Sequence, residues 1–548
     1  TKILIITMGS RGDVQPFIAI GCALQRAGYT IMVGSNENHE QFVKDFELPF
    51  KPLFVDSEVE TKNTPSAMKA MANGNALTFL SSLKIVGAKF GPAHCERFMG
   101  ILQEFQPDLL VEGTLCQYFG RFAALLFNIP VMSVKLQVLT FDPKRMVCGL
   151  PSLPCGCHKF LFDAVIGGMF DAFEVLEEAM TKQFGCKIFD LWSKRDFMQE
   201  YTAPWAPEYI CQSPSWKEAL NAYAHPNIHF MGASTIGAAA QDGQSFGGNE
   251  AMRSIQAFLA AGPKPVYCGW GSMTCKSPEH MVVLAAKALM HSGQRGIVFT
   301  GWAKLSMTLL SKATKDVALL AYAEKNIVFV EGAPHEWLFP KVLCTVHHGG
   351  AGTTAAAMRA GMPTIITPVF LDQWDHAYLV NNLGVGVGFE KQFQKISAEE
   401  LGTAIKQVVQ STEIAAKAKQ IGKILKEEDG AQNIVNAVQD FWQRWVESGK
   451  YQAKMDDMKR VRKEAKQSFF ARNFSCFHGC FSFRAKQQPR LPNAHSPEES
   501  LENLMPSLLN KNLSPAMEAF ADIKGIQSAG SISPSHYRRR PATADFFK

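Results

Sequence analysis

One stretch of the chain reads Val346-His347-His348-Gly349-Gly350-Ala351-Gly352-Thr353-Thr354, after an apolar run, residues 342–346, and before an alanine-rich segment. The run predicts a strand and the segment a helix, so the glycines form the turn between them. A helix that opens on glycines leaves unpaired N–H groups and partial positive charge at its start, where a pyrophosphate can bind. Asp372 and Gln373 follow, and a carboxylate beside an amide offers hydrogen bonds to sugar hydroxyls. This order of parts favours a sugar-nucleotide site over a dinucleotide site.

The composition is that of a globular protein with two or three domains. The 548 residues are 47% hydrophobic and 19% charged, as is usual for folded soluble proteins. A net charge of +6 is small for this length and argues against a nucleic-acid binder. No apolar run approaches the roughly 18 residues that a membrane span needs. The 13 cysteines have no disulfide-like rhythm, which favours a reducing compartment.

The two ends of the chain carry signals of their own. Thr1 directly precedes a predicted strand, residues 2–7, and is not a methionine, so we expect no signal peptide and a processed or excised portion. Residues 451–548 form a basic tail with segments rich in Pro and Ser, which we expect to be mostly disordered. The basic run at 459–463 is typical of a solvated tail, and the alternative is contact with anionic lipid.

Strands and helices alternate in two series along the chain, which predicts parallel, doubly wound α/β sheets. A segment of small residues, 232–249, separates the two series and predicts a linker. We therefore predict two Rossmann-like domains, residues 1–232 and 251–450, joined by a linker at 233–250 and facing each other across a cleft. Helical insertions at about 60–105 and 158–200 are expected to form walls of that cleft. The predicted strands are 2–7, 30–34, 107–111, 130–134, 265–269, 296–300, 326–330, 342–346 and 364–367, and the predicted helices are 14–28, 117–127, 278–292, 375–383, 397–410 and 431–446.

The turn after the first strand reads Gly9-Ser10-Arg11-Gly12-Asp13-Val14-Gln15-Pro16. It places a carboxylate at the carboxyl edge of the sheet, where Asp13 can act as general base toward an acceptor hydroxyl. The alternative is that Asp13 only caps the following helix. The glycine spacing differs from the dinucleotide fingerprint.

Two further segments are candidates for nucleotide contacts. Gly269 to Met273 (GWGSM) follows a predicted strand, and its small residues let a phosphate approach the backbone while Ser272 donates a hydroxyl. Gly332 to Phe339 (GAPHEWLF) offers an aromatic side chain and backbone polar groups to a base, although core packing explains either aromatic taken alone. His348, beside the glycines, is a better phosphate ligand than His347.

The motif HHGGAGTTAAAMRAG with its following DQ, together with GSRGDVQP, closely resembles the sterol 3-beta-glucosyltransferases, which are inverting transferases with the GT-B fold that use UDP-sugars. The resemblance covers about residues 1–450. It differs from plant secondary-metabolite enzymes, since Ala356 stands where those enzymes have a ribose-binding glutamate. The resemblance implies a GT-B fold whose N-terminal domain binds the acceptor and whose C-terminal domain binds UDP-glucose.

The resemblance also implies a role for each matching residue. Asp13 matches the catalytic base, and the remaining matches are contacts to the donor. They are Ser10 and Arg11 in the first turn; Ser272, His348, Gly350, Gly352 and Thr353 at the diphosphate; Asp372 and Gln373 at the glucose hydroxyls; Ala333, His335 and Trp337 at the uracil; and Trp302, whose part in the site is open.

The predicted function is glucose transfer from UDP-glucose to the 3-beta-hydroxyl of a membrane sterol, with inversion. We expect no cofactor and no metal, a cytoplasmic location with peripheral membrane contact, and no nucleic-acid partner. Two alternatives stay open. One is the same donor chemistry on another lipid or polyketide-like alcohol, and the other is a catalytically silent relative that binds UDP or lipid. A nucleotide-sugar epimerase is disfavoured because the first turn resembles the transferase turn.

Overall fold

The computed structural model describes residues 1–74, 76–139, 157–220, 225–237, 240–241, 244–369 and 371–462. Two parallel sheets lie in the compact unit formed by Thr1–Met99 and Pro107–Gln467. A second unit includes Gly100–Gln106. The first sheet has the order β3-β2-β1-β4-β5-β6-β7, and the second has the order β10-β9-β8-β11-β12-β13. The strands are β1 Lys2–Ile6, β2 Thr30–Asn36, β3 Phe50–Phe54, β4 Leu109–Glu112, β5 Val131–Lys135, β6 Glu208–Ile210, β7 Ile228–Phe230, β8 Val266–Gly269, β9 Gly296–Phe299, β10 Ile327–Val330, β11 Thr345–His347, β12 Thr364–Ile366 and β13 Gly386–Gly388.

Helices flank both sheets and also form the two long insertions. Another helix covers residues 450–462, after a π-helical turn at Trp442–Glu447. The helices are α1 Arg11–Arg26, α2 Glu40–Lys44, α3 Ser57–Lys62, α4 Pro65–Asn73, α5 Ala76–Phe105, α6 Gln117–Phe127, α7 Cys157–Ala172, α8 Glu174–Phe184, α9 Lys194–Glu200, α10 Gly248–Ala260, α11 Pro278–Ser292, α12 Met307–Ala313, α13 Val317–Asn326, α14 His335–Leu338, α15 Ala351–Arg359, α16 Gln373–Leu383, α17 Ala398–Gln410, α18 Thr412–Glu427 and α19 Gly430–Phe441.

The central strands explain why the sheets are parallel and covered on both faces. In β1 every residue after Lys2 is fully buried, and β8 is buried along its whole length. Strands with helices on both faces are apolar at every position rather than at alternate ones. Because all strands in a sheet run the same way, the loops after β1 and β11 both emerge at a carboxyl edge, where α/β proteins bind ligands. The predicted fold class, two doubly wound α/β halves, is confirmed.

Some elements differ from the sequence-based expectation. The strand predicted at 342–346 is β11, Thr345–His347, and Val342 and Cys344 are buried residues that precede it. The short strands β6 and β7 were not predicted, since three residues carry too little periodicity. The linker predicted at 233–250 runs into α10, which begins at Gly248.

The first residues of the predicted tail are helical. In the helix over 450–462, Tyr451 is 4% and Met455 0% exposed, a spacing of four that puts both on one face. Tyr451 packs on Trp205, with ring centroids 5.4 Å apart. Arg462, in the basic run, forms an ion pair with Asp196. Residues 463–548, where the disordered tail was expected, lie outside the described residues, and the domain boundaries remain a prediction.

Candidate active site

The helices that follow β1 and β11 begin beside each other. A Cβ placed on Gly352, in the first turn of α15, would lie 3.8 Å from the carbonyl oxygen of Gly12, in the first turn of α1. The first N–H groups of a helix have no partner within the helix, and the helix dipole adds partial positive charge there. Two such ends therefore meet between the two sheets, which makes this space suitable for a negatively charged group.

Asp13 lies at this junction, held by the residue that precedes α1. One carboxylate oxygen accepts hydrogen bonds from the Ser10 N–H at 2.7 Å and from the Ser10 hydroxyl at 2.9 Å. Ser10 and Asp13 thus form a capping box, so Asp13 caps α1. Its role as a general base stays a prediction. The other oxygen has no partner within the described residues. Burial raises the pKa of the Asp13 carboxyl, and the Ser10 hydrogen bonds partly offset that rise.

The loop before Asp13 is fixed by side chains that the sequence analysis did not single out. The Gly9 N–H donates to Asn36 at 2.9 Å, and the Gly9 carbonyl lies 3.0 Å from a ring nitrogen of His39. Gly9 has a φ of +132°, and a Cβ there would be 2.5 Å from the Asp13 carboxylate. A side chain at position 9 would therefore displace the carboxylate. Asn36 is the last residue of β2, and its place at the end of a strand was its only signal in the sequence.

Arg11, a predicted donor contact, lies at the start of α1, near enough to His335 for its charge, after burial, to lower the pKa of that ring. Its guanidinium carbon lies 4.4 Å from the ring centroid of Phe42 and 4.3 Å from that of Phe246. It also donates to the Ser245 carbonyl. Burial lowers the pKa of Arg11 to about 10, so it stays charged at neutral pH. The structure thus places Arg11 between α2 and the segment before α10.

His348 lies in the glycine turn, and its ring is close to both Gly271 and Gly350. A Cβ on Gly271 would be 3.2 Å from its ring and a Cβ on Gly350 only 2.5 Å. Burial lowers the pKa of His348 to about 4, so the ring is neutral at pH 7, and its Nδ1 has no partner among the described residues. A neutral ring can donate one hydrogen bond to a phosphate oxygen. Ser272 follows Gly271 and therefore lies close to this ring, and Thr353 lies in the first turn of α15.

Asp372 faces Asp13 across the junction. Burial, and then the negative charge of Asp13, raise the pKa of Asp372 to about 7. Gln373, predicted to hold glucose together with Asp372, is buried, and its amide oxygen accepts the Val369 N–H at 2.8 Å. The Gln373 amide nitrogen lies 3.5 Å from the Met273 sulfur. Asp372 therefore has the freer side chain, and Gln373 supports the loop that precedes α16.

The residues predicted at the uracil lie together after β10. His335 stacks on Phe339, with centroids 4.4 Å apart, and one ring nitrogen is 3.1 Å from the Tyr267 hydroxyl. Trp337 is partly buried against the core, with the Lys341 ammonium 4.0 Å from its ring centroid. Ala333, between them and β10, is half-buried. Trp302 lies apart from this group, and its main-chain N–H donates to the Gly271 carbonyl at 3.1 Å.

An apolar cavity, open at its mouth, adjoins Asp372. As predicted, both helical insertions supply its walls, with Leu83 and Val86 from α5 and Val165 and Ile166 from α7. Met8, five residues before Asp13, also lines it. The cavity thus joins an apolar space to the junction that holds the two carboxyl groups.

A hydrogen-bond chain that the sequence did not reveal joins the two halves. The Gln212 amide donates to His376 Nε2 at 3.0 Å, and His376 Nδ1 donates to the Gly349 carbonyl at 2.7 Å. His376 is fully buried. Gln212 lies just after β6 in the first half, and Gly349 lies in the glycine turn of the second. The chain fixes that turn from the opposite side of the cleft.

Comparisons with known proteins agree with this arrangement. The glycosyltransferase family 28 N-terminal domain matches residues 3–90, and the erythromycin biosynthesis protein CIII-like C-terminal domain matches residues 305–440. A sterol 3-beta-glucosyltransferase of Debaryomyces hansenii is 27% identical over 79% of this chain and 26% of its own length. The sterol 3-beta-glucosyltransferase UGT80A2 of Arabidopsis thaliana is 26% identical over 80% of this chain and 65% of its own length. The chain is similar to the sterol 3-beta-glucosyltransferases.

The chain has the GT-B fold. The calicheamicin glycosyltransferase CalG4 superposes with a TM-score of 0.54 at 15% identity, over 81% of this chain and 98% of its own. The glycosyltransferase of kitacinnamycin superposes with a TM-score of 0.55 at 13% identity, over 80% of this chain and 98% of its own. The chain spans between about a quarter and two thirds of the length of the curated relatives it matches, at 26%, 36% and 65% for three of them.

Three further observations concern the described residues. Ala356, where plant secondary-metabolite enzymes have a glutamate, is buried in α15 and offers no polar side chain. In the described ranges, no group of three or more His, Cys, Asp or Glu side chains is arranged to hold a metal ion. No helix among the described residues combines the length and apolar character of a membrane span.

Proposed function

We propose that the protein transfers glucose from UDP-glucose to the 3-beta-hydroxyl of a membrane sterol with inversion, giving a steryl beta-glucoside. One observation carries the proposal: the buried Asp13 carboxyl lies in the first turn of α1, beside the start of α15, and close enough to Asp372, which lines an apolar cavity, for its charge to act on that group. The cavity suits a lipid alcohol, and the helix starts suit a diphosphate. The named sterol glucosyltransferases that resemble the chain support the same assignment.

Asp13 is the proposed base. As the acceptor oxygen attacks the anomeric carbon, its proton passes to the oxygen of Asp13 that Ser10 does not occupy. Burial raises the pKa of this carboxyl above that of free aspartate, which makes it a better proton acceptor when it is ionised. Attack from the side opposite the UDP inverts the anomeric centre. The hydrogen bonds from Ser10 keep the carboxylate in one orientation, so Ser10 is a positioning residue.

The glycine turn is the proposed site of the leaving diphosphate. Negative charge grows on the diphosphate as the glycosidic bond to UDP breaks. N–H groups at Gly350 and Gly352, the Thr353 and Ser272 hydroxyls and neutral His348 supply hydrogen-bond donors that are fixed before the reaction, and such donors stabilise a charged transition state. Asp372 is proposed to hold a glucose hydroxyl. Gln373 acts through the loop it supports, and Ala333, His335 and Trp337 are proposed to line the uracil.

The proposal includes a membrane as a transient partner, because a sterol resides in lipid. A cytoplasmic location and peripheral contact remain predictions. Arg11 and Trp302 are proposed to shape the donor site from a distance, since Arg11 holds the segment before α10 and Trp302 contacts Gly271.

The proposal is tested by product analysis with purified protein, UDP-glucose and ergosterol in vesicles. A beta-linked steryl glucoside is expected from the wild type, with a rate at least about 100-fold lower in Asp13→Asn, as general-base loss predicts. Asp457→Asn, an exposed carboxylate on the helix over 450–462, is the matched control and should keep full activity. UDP release without steryl glucoside would reject the sterol, and equal rates in wild type and Asp13→Asn would reject the base.

A further inference from the structure

The cavity beside Asp372 is also lined by Glu60. An acceptor whose only hydroxyl lies at Asp13 has no polar group left to bind the Glu60 carboxyl. Its walls are mainly hydrophobic, and among the described residues that line it none is Lys or Arg. The charged groups on it are Glu60, Asp372 and Asp375. Because all three are acidic, the cavity favours neutral acceptors and disfavours those that carry a carboxylate or phosphate. Asp372 and Asp375 come from the donor half, so Glu60 is the acidic residue on the acceptor half.

Glu60 is unpaired, unlike its neighbours on α3. Glu58, two residues earlier, forms an ion pair with Lys62 on the outer side of the helix. The Glu60 carboxyl has no hydrogen-bond or ion-pair partner anywhere in the described ranges, although the residue is only partly exposed. Burial, and then the charge of Asp56, raise the pKa of Glu60 to about 7. Near neutral pH such a carboxyl both donates and accepts hydrogen bonds.

The sheet order places Glu60 away from the reacting end. α3 follows β3, whereas Asp13 follows β1, and the order β3-β2-β1 puts two strand spacings between them. Neighbouring strands lie nearly 5 Å apart, so the two strand ends are separated by about 10 Å. A rigid ring skeleton with one end at Asp13 can extend over this separation. A partner for Glu60 is therefore expected near the far end of the acceptor rather than beside the reacting hydroxyl.

We propose that the acceptor is a neutral, mainly apolar alcohol with a second hydroxyl, remote from the one that receives the sugar, and that this hydroxyl hydrogen-bonds Glu60. This inference rests on the proposed function for its acceptor site and deepens it by naming the substrate class. A leucine at position 60 would cover the same wall without the cost of burying an unpaired carboxyl. The carboxyl is thus better suited to recognising a ligand than to stabilising the fold.

The test is equilibrium binding of two 3β-hydroxysteroids that differ only by a hydroxyl at the far end of the rings, 5-androsten-3β-ol and 5-androstene-3β,17β-diol, measured by displacement of a fluorescent sterol. Wild type is expected to bind the diol about 10- to 100-fold more tightly than the mono-ol, the range for a hydrogen bond to an ionisable group. Glu60→Leu should lose that preference by weakening only the binding of the diol. Glu60→Gln should keep part of it, and the matched control Glu58→Leu should keep all of it.

The outcomes separate this inference from the proposed function. An equal ratio of affinities in wild type and Glu60→Leu overturns the inference, and so does the absence of binding by either steroid. Preferential binding of the diol without glucosylation of either one supports the inference while rejecting the proposed transfer. A Glu60→Leu protein that unfolds is replaced by Glu60→Met, judged by the same ratio of affinities.

Discussion

Asp13 and Asp372 bring carboxyl groups from the two halves of the molecule to one junction, where each has a raised pKa. The pKa of Asp372, about 7, is set first by burial and then by the charge of Asp13. Two carboxyl groups that interact in this way titrate as a pair, so the protonation of one depends on the other. Their proposed roles need both ionised, Asp13 as base and Asp372 as the stronger hydrogen-bond acceptor for a sugar hydroxyl.

Asp13→Asn should therefore shift the titration of Asp372 to lower pH, because it removes a negative charge that disfavours ionisation. The measurement is the ratio of the dissociation constants of UDP and UDP-glucose from pH 5 to 9, which isolates the glucose contact. In wild type the preference for UDP-glucose should grow as pH rises through about 7, and in Asp13→Asn it should grow at a lower pH. Identical midpoints in the two proteins would show that the carboxyl groups are not coupled.

At the scale of elements, the glycine turn before α15 depends on backbone that only glycine adopts readily. Gly349 has a φ of +96°, and a Cβ there would lie 2.8 Å from Ile366. Its carbonyl also accepts the hydrogen bond from His376. The turn is thus fixed by conformation, by packing on β12 and by the chain from Gln212. Each of these keeps the N–H groups of α15 directed at the proposed diphosphate.

Gly349→Ala is expected to destabilise the protein by about 1–3 kcal/mol, the usual cost of a strained backbone conformation. The affinity for UDP should fall at least about tenfold, since 1.4 kcal/mol of binding energy is a factor of ten. Thermal unfolding and calorimetric titration with UDP measure the two effects. Gly237→Ala is the control, because a Cβ at that position meets nothing within 4 Å. An unchanged UDP affinity in folded Gly349→Ala would contradict the assignment of the turn.

The sequence predicted long elements better than short ones. Helices α6 and α11 have the predicted bounds, because their apolar residues recur over three or more turns and, for α11, Ser277 and Gly293 mark its ends. Strands β6 and β7 are three residues long. Strand β6 is held by pairing with β5, and β7 by pairing with β6, contacts that local sequence does not specify. The helix over 450–462 lies almost entirely in the predicted tail, because charged residues outnumber apolar ones in this segment.

For the candidate site, the sequence located the turns but not the direction of each side chain. Motif positions placed Asp13, His348 and Asp372 at one junction. The same reasoning could not show that the Arg11 guanidinium lies between Phe42 and Phe246, which are far from it in sequence. The contact of Arg11 with the donor stays a prediction. Gln212 and His376 were missed for a similar reason. Their contact joins residues 164 positions apart, and no local pattern announces it.

At the scale of the whole molecule, the last described segments return to the first half of the chain. α19 packs on α1, and Tyr451 lies between Trp205 and Phe441, with ring centroids 5.4 Å and 5.9 Å away. Arg462 pairs with Asp196 at the start of α9. The chain therefore crosses from the first half to the second and back. Together with the Gln212–His376 hydrogen bond, this return limits how far the two halves can separate without breaking buried contacts.

Tyr451→Ala should destabilise the protein by about 3 kcal/mol, the usual cost of removing a buried aromatic side chain. Tyr451 is 4% exposed, whereas Val461, ten residues later on the same helix, is 48% exposed, so Val461→Ala is the matched control. The midpoint of urea unfolding should fall for Tyr451→Ala and stay within error of wild type for Val461→Ala. If residues 450–462 were a solvated tail, both substitutions would leave the midpoint unchanged. A fall confined to Tyr451→Ala would instead make this helix part of the folded domain, because only a packed segment stabilises the domain it contacts.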